Sequence, residues 1–199
     1  MLRPRALFSY VVEHDQGFAP NPFYGVCTLA NCKPVIRQTA EVGDLVIGTG
    51  SATAERAGHL IYWMRVGEIM SFDEYWNDPR FQCKKPVMNG SRMQQFGDNI
   101  YHTSPNGTIL QSDSFHSRQG GVLSEENLRI DTGRTHRVLI SADYAYFGTA
   151  APAIPPALDF LVKHGPGHKC HFTPAEQDAV TIWLHGLGVK NLAGQPCRW

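Results

Sequence analysis

Residues 43–76 read GDLVIGTGSATAERAGHLIYWMRVGEIMSFDEYW, two short apolar runs joined by small and polar residues. A Gly43-Asp44 turn leads into Leu45, Val46 and Ile47, a short strand closed by Gly48, Gly50 and Ser51. Leu60 to Val66 is the second run, rich in the β-formers Ile61, Tyr62 and Trp63. Ser71-Phe-Asp-Glu74 then matches a capping box, which predicts a helix starting at Ser71. Two adjacent strands with a Gly/Ser/Thr-rich lip between them form the wall and rim of a pocket. Thr49 and Ser51 on that lip are candidate ligand contacts.

The rest of the chain must supply the core around this stretch. Its 199 residues, 42% hydrophobic and 18% charged, fit one folded domain with a sizeable core. The 19 glycines and 13 prolines are those of short strands joined by many turns. Lys plus Arg and Asp plus Glu both number 18, which argues against sequence-independent duplex binding through a broad basic surface. No apolar run is long enough to span a bilayer, and the basic start MLRPRALFSYVV is too short for a secretion signal. A cytoplasmic location with no membrane partner is the expectation. Five scattered cysteines do not make a disulfide framework and are expected to be reduced.

Ala6 to Val12 reads as a first core strand. His14 to Gly25 follows as an aromatic, turning loop, either a lid over a site or a strap on the core; Asn21 and Phe23 are its candidate ligand contacts. Cys27 to Ala40 reads as a short helix, with Asn31 as cap and Pro34 in the first turn. Lys33 and Arg37, four apart, share a helix face that either meets a phosphate or stays solvated. The five-residue spacing of Cys27 and Cys32 suits no standard zinc knuckle.

The run NPFYGVCTLANCKPVIRQTAEVGDLVIGTGS resembles the start of the nucleotide modification associated domain, second type. The resemblance continues through LIYWMRVGEIMSFDEYWNDPRF, GDNIYH, SFHS and RVLISADYAYFG, and covers roughly residues 7–194. It implies a phage or bacterial protein associated with DNA base hypermodification. A more distant resemblance is to PUA-like domains, including the EVE and ASCH groups. It rests on Arg37, Gly43-Asp44, the run from Ile61 to Val66, and the segment from Tyr75 to Pro79. It implies a small β-barrel holding a modified or flipped base in an aromatic-lined pocket.

Residues 73–81 predict a short helix ending at Asp78, since Pro79 disfavours helical geometry before it. Tyr75 and Trp76 either stack on a base or plug the end of the barrel. Residues 96–117 carry the densest polar chemistry: a strand from Asn99 to His102, a Ser104–Gly107 turn and a returning strand. His102 and His116 are the candidate acid–base groups, with Asp98 to orient them. Asn99, Tyr101 and Ser114 are candidate ligand contacts. A loop with a turn of helix from Ser124, a strand over 134–141 and an aromatic turn over 143–148 follow. After a short helix over 157–163, His164, His168, Cys170 and His171 resemble metal ligands in type, but Gly165-Pro-Gly167 breaks any ligand frame and no metal is expected. Thr173-Pro-Ala-Glu176 starts a helix with Val180, Trp183, Leu184 and Leu187 as its inner stripe.

The chain therefore reads as a single α+β domain, with a PUA-like small β-barrel over 6–148, short flanking helices and a C-terminal helical extension over 150–199. Its expected role is to bind a nucleobase or nucleotide, in single-stranded or flipped DNA, alongside other base-modification enzymes. The alternatives are a hydrolase or group transferase using His/Asp acid–base chemistry, and a non-catalytic assembly partner. No phosphate-binding loop, dinucleotide fingerprint or nucleophile elbow is present, and no cofactor is expected.

Overall fold

The computed structural model describes residues 6–52 and 55–199. The basic start, Met1 to Arg5, and Thr53-Ala54 of the loop after the glycine-rich lip lie outside them. In chain order the strands are β1 (Leu7–Val12), β2 (Cys27–Leu29), β3 (Leu45–Gly50), β4 (Leu60–Arg65), β5 (Glu68–Ser71) and β6 (Tyr101–Thr103). They continue with β7 (Ile109–Gln111), β8 (Arg137–Ser141), β9 (Asp143–Tyr146), β10 (His168–Lys169) and β11 (Asn191–Leu192). The α-helices are α1 (Pro34–Thr39), α2 (Phe72–Asn77), α3 (Arg92–Gln95), α4 (Glu125–Thr132) and α5 (Pro174–Gly186). The result is a mixed α+β fold with several open sheets; no closed barrel is found among the described residues.

The chain forms two compact units, each drawing on separate stretches of sequence. The first takes residues up to Asp15, Ala40–Gly67 and Ser141–Trp199. Its sheet runs β10-β1-β3-β4-β9-β11, with β1 and β3 parallel and β3, β4 and β9 successively antiparallel. Strand β3 is buried along its whole length, which is why LVIGTG lacks the alternation of a half-exposed strand. Gly48 is required there, because a Cβ would lie 2.4 Å from the Tyr62 ring. Tyr62 and Tyr10 share a hydrogen bond of 2.8 Å between their hydroxyls, satisfying two polar tips inside the core. The Asp44 carboxylate accepts from the amides of Ala6 and Glu41, tying together the entries to β1 and β3. Helix α5 begins with the expected capping box, Thr173 with Glu176, and buries Gln177, Val180 and Leu184.

The second unit takes Gln16–Thr39 and Glu68–Ile140. It holds the sheet β2-β8-β5 and the hairpin β6-β7. Its apolar core gathers Phe18, Phe72, Tyr75, Phe81, Phe96, Ile100, Tyr101, Val138 and Ile140. The expected capping box at Ser71 is formed: Ser71 accepts from the Glu74 amide while the Glu74 carboxylate accepts from the Ser71 amide. The helix stops at Asp78, before Pro79, as the proline predicts. The hairpin turn at 104–107 also forms, with Gly107 in the left-handed region.

Several local expectations are corrected. Cys27 to Ala40 is not one helix: Cys27–Leu29 is a buried strand, and α1 begins only at Pro34. Asn31 caps nothing: its side-chain oxygen accepts no hydrogen bond among the described residues, and its amide donates to the Asp98 carbonyl at 2.9 Å. Lys33 and Arg37 do not share a helix face, since Lys33 precedes α1 and the Arg37 side chain is wholly buried. The aromatic turn at 143–148 is strand β9 up to Tyr146, and Tyr144, Tyr146 and Phe147 are buried. The segment from Ser124 is a two-turn helix, with Ser124 accepting from the Asn127 amide.

Candidate functional site

The hairpin β6-β7 explains how the second unit distributes its polar groups. Tyr101 pairs with Gln111 and His102 with Leu110. Neighbouring residues of a strand face opposite sides, so Tyr101 and His102 point apart. His102 goes to one face, where its ring stacks on Trp76 at 3.9 Å and 12°. Lys85 places its ammonium 3.6 Å from the centre of the same indole. Burial and the nearby Lys85 charge lower the His102 pKa, which favours the neutral imidazole.

Tyr101 goes to the other face and meets a carboxylate that the sequence reading passed over. Its hydroxyl donates to Asp131 Oδ2 at 2.9 Å. Asp131 projects from the last turn of α4 and is wholly buried. It accepts two further bonds: Cys32 N–H to Oδ1 at 2.7 Å, and His116 Nδ1 to Oδ2 at 2.7 Å. A carboxylate can only accept, so Nδ1 carries the proton and Nε2 is turned the other way. Nε2 lies 3.7 Å from Cys32 Sγ. Cys32, His116 and Asp131 thus stand in line as sulfur, imidazole and carboxylate. Burial alone would lower the His116 pKa, but the hydrogen bonds to Asp131 and Cys32 outweigh it and hold the group up at about 9.

Each member is anchored. Gln111 and Asn127 both donate to the His116 carbonyl, at 3.3 and 2.8 Å. Phe18 packs on the imidazole with ring centres 4.6 Å apart. Cys32 and Lys33 both have left-handed backbone, with φ of 56° and 42°. For residues with a Cβ this costs about 1–3 kcal/mol each and persists only where surrounding structure enforces it. Arg37 is the enforcing group. Its guanidinium donates to the carbonyls of Cys32 at 2.8 Å, Arg137 at 2.9 Å and Asp131. It therefore positions the thiol and the carboxylate together, and it does not face a phosphate.

Phe115 lies beside this row and is 42% exposed, with its ring centre 6.1 Å from that of His116 and 5.6 Å from that of Phe18. Phe18 gives the loop of residues 14–25 its inward anchor. Cys32 itself is partly buried. The three groups also place one ligand atom each within 4.8 Å of one another, close enough for a metal ion. The hydrogen bonds fit an ion less well: both Asp131 oxygens already accept from the chain, and His116 presents opposite ring nitrogens to Cys32 and Asp131.

The remaining predicted site residues fall elsewhere. Asp98 orients neither histidine; its carboxylate accepts from Thr28 at 2.6 Å and Tyr75 at 2.8 Å. Burial raises the Asp98 pKa, while the Lys84 charge opposes that rise. Lys84 is itself fully buried, and its ammonium reaches Asn21 O and Oδ1, Val26 O and Thr28 Oγ1 between 2.7 and 3.1 Å. Asn21 also donates to the Phe96 carbonyl, and Asn99 donates to the carbonyls of Tyr75 and Phe81. Phe23 is buried against Tyr24, and Ser114 is buried with its hydroxyl accepting from the His116 amide. Thr49 and Ser51 are buried in the first unit, where Thr49 donates to the Tyr10 carbonyl.

The structure thus keeps His116 in the row, with Tyr101 supporting it, and adds Cys32 and Asp131. Cys32 is one of five cysteines, and nothing in the sequence singled it out. Nothing local marked Asp131 as its partner. No curated protein and no solved structure matches the chain significantly. The family model described as nucleotide modification associated domain 2 matches residues 4–199, essentially the whole chain. The chain belongs to the nucleotide modification associated domain 2 family, which implies a role in nucleotide or DNA modification.

Proposed function

We propose that the protein is an enzyme of nucleotide or DNA base modification that uses Cys32 as a nucleophile. The observation that carries this reading is the row itself, with His116 bridging Cys32 Sγ at 3.7 Å and Asp131 at 2.7 Å. A thiol is activated by an adjacent imidazole whose other nitrogen is fixed by a carboxylate. Cys32 would attack an electrophilic carbon on the base or its substituent and form a C–S bond. His116 would carry the thiol proton to the leaving group. Water or an acceptor hydroxyl or amine would then release the carbon from sulfur and return a proton, giving hydrolysis or group transfer. Phe115 supplies an exposed aromatic face for the base, and such stacking contributes on the order of 1–3 kcal/mol per base. A base in single-stranded or flipped DNA could reach such a face, whereas one inside a duplex could not. The chemistry does not depend on a PUA-like barrel.

The experiment is to incubate the protein with nucleosides, nucleotides and short single-stranded DNA bearing ordinary and modified bases, and to follow products by mass spectrometry. The expected result is turnover that Cys32→Ala abolishes while the thermal midpoint is retained. Phe115→Ala should raise KM with less effect on kcat. Turnover that survives Cys32→Ala would overturn the nucleophile. Ligand binding without turnover in either protein would favour a base reader, and neither binding nor turnover would favour an assembly role.

A further inference from the structure

The buried cluster around Lys84 in the second unit holds three reactive groups that the thiol chemistry does not use. Lys84, Asn21 and Asp98 are each at most 1% exposed. Lys84 Nζ lies 2.7 Å from Asn21 Oδ1, and the carboxamide carbon is one bond beyond that oxygen. Asn21 is held from two sides. Its backbone exchanges two hydrogen bonds with Thr28, and its Nδ2 donates to the Phe96 carbonyl at 3.0 Å. Lys84 ends a 3-10 helix over Pro79–Lys84, and its carbonyl accepts from the Asn99 amide.

Burial acts on the two charged members in opposite directions. It lowers the Lys84 pKa and raises that of Asp98, while the attraction between the two charges opposes both shifts. Burial therefore favours passing a proton from the ammonium to the carboxylate. Thr28 Oγ1 stands on that path, 3.1 Å from Nζ and 2.6 Å from Asp98 Oδ2. A desolvated neutral amine is a nucleophile. The common attacker of an asparagine side chain is the backbone N–H of the next residue, but that residue is Pro22, which has none. Lys84 is the amine that faces Asn21 instead.

We propose that Lys84 and Asn21 join in an amide cross-link within the second unit, with Asp98 as the base. Lys84 passes one proton through Thr28 to Asp98. Nζ then forms a bond to Asn21 Cγ, and the Cγ–Nδ2 bond breaks. The departing nitrogen takes one further proton from Nζ and leaves as ammonia, and Asp98 ends as the neutral acid. No co-reactant is consumed. The charged Lys84–Asp98 pair is the starting state, and the step replaces two costly buried charges with neutral groups. The bond fastens the loop that carries Phe18 to the helix over Pro79–Lys84, and it does not depend on the chemistry of Cys32.

The test is mass spectrometry of the full folded chain, reduced and denatured just before measurement. The intact mass should fall below that of the sequence by one ammonia. Trypsin should release one linked pair of peptides, one carrying Asn21 and the other Lys84. Lys84→Arg should show the full mass of its own sequence. Asp98→Asn should lower the linked fraction at least tenfold over the same incubation. If that variant fails to fold, Thr28→Val cuts the proton path and should act alike. A wild-type mass equal to that of the sequence, or a link between other residues, would overturn the cross-link. Undiminished linkage in the folded variant would overturn the role of Asp98.

Discussion

Among the described residues, the first unit buries two carboxylates, Asp15 and Asp44, and uses both to tie chain segments. Asp15 accepts from Tyr146 and from the Cys197 amide, and Asp44 accepts from the amides of Ala6 and Glu41. The second unit instead buries charges of both signs: Arg37 with Asp131, and Lys84 with Asp98. Burying an ion pair rarely adds stability over an apolar replacement, because the cost of removing two charges from water offsets their attraction. The first unit is built as a sheet should be built for stability. The second keeps expensive groups, and one of its charged clusters surrounds the only left-handed cysteine among the described residues. The contrast is one of how the two units place their charge: buried carboxylates that tie segments in one, buried charges of both signs in the other.

Breaking that contrast is most direct at Lys84. Lys84→Met removes the cation that Asn21, Val26 and Thr28 surround and leaves Asp98 buried without its counter-charge. Urea unfolding should show a loss of about 3–5 kcal/mol. A loss below 1 kcal/mol would mean that this charged cluster is as dispensable as an apolar core, and the contrast would fail.

The next effect is pH-dependent. His116 is held above its ordinary value of 6.5 at about 9. A raised pKa means that the folded state favours the proton, so the contribution is fully present below pH 6.5 and is lost as pH rises through about 9. Wild type should exceed His116→Gln by on the order of 1–3 kcal/mol at pH 6, and this excess should shrink towards zero near pH 10. A difference independent of pH between those limits would remove His116 from the charged row.

The smallest effect belongs to the first unit. Tyr62→Phe deletes one hydroxyl of the buried Tyr10–Tyr62 pair and should cost about 1 kcal/mol, read by the same unfolding measurement. A cost equal to that of Lys84→Met would erase the difference between the two units.

Local signals carried the elements whose stability is itself local. The caps at Ser71 and Thr173, the stop before Pro79 and the 104–107 turn all form, because each is decided by residues within four positions. The strand at β2 was hidden by its neighbours: CTLANCKPVIRQTA looks helical after Pro34, and pairing with β8 and with Asn21 makes Cys27–Leu29 extended. Arg37 was misplaced for a related reason. A helix face says which residues are neighbours on that helix, but not whether carbonyls of distant strands and helices will surround a guanidinium.

Sequence by itself determined the mixed α+β character, the caps and turns, and the family, since these depend on short windows or on many positions read together. Tertiary structure alone decided the site. Cys32 and His116 are 84 residues apart, and Asp131 lies 15 beyond His116. No local preference couples such residues; Tyr101, which the alternation of β6 turns towards Asp131 while His102 faces away, joins them from the hairpin. The same alternation, invisible in composition, sends His102 to the face opposite Tyr101 and so away from the row that holds His116.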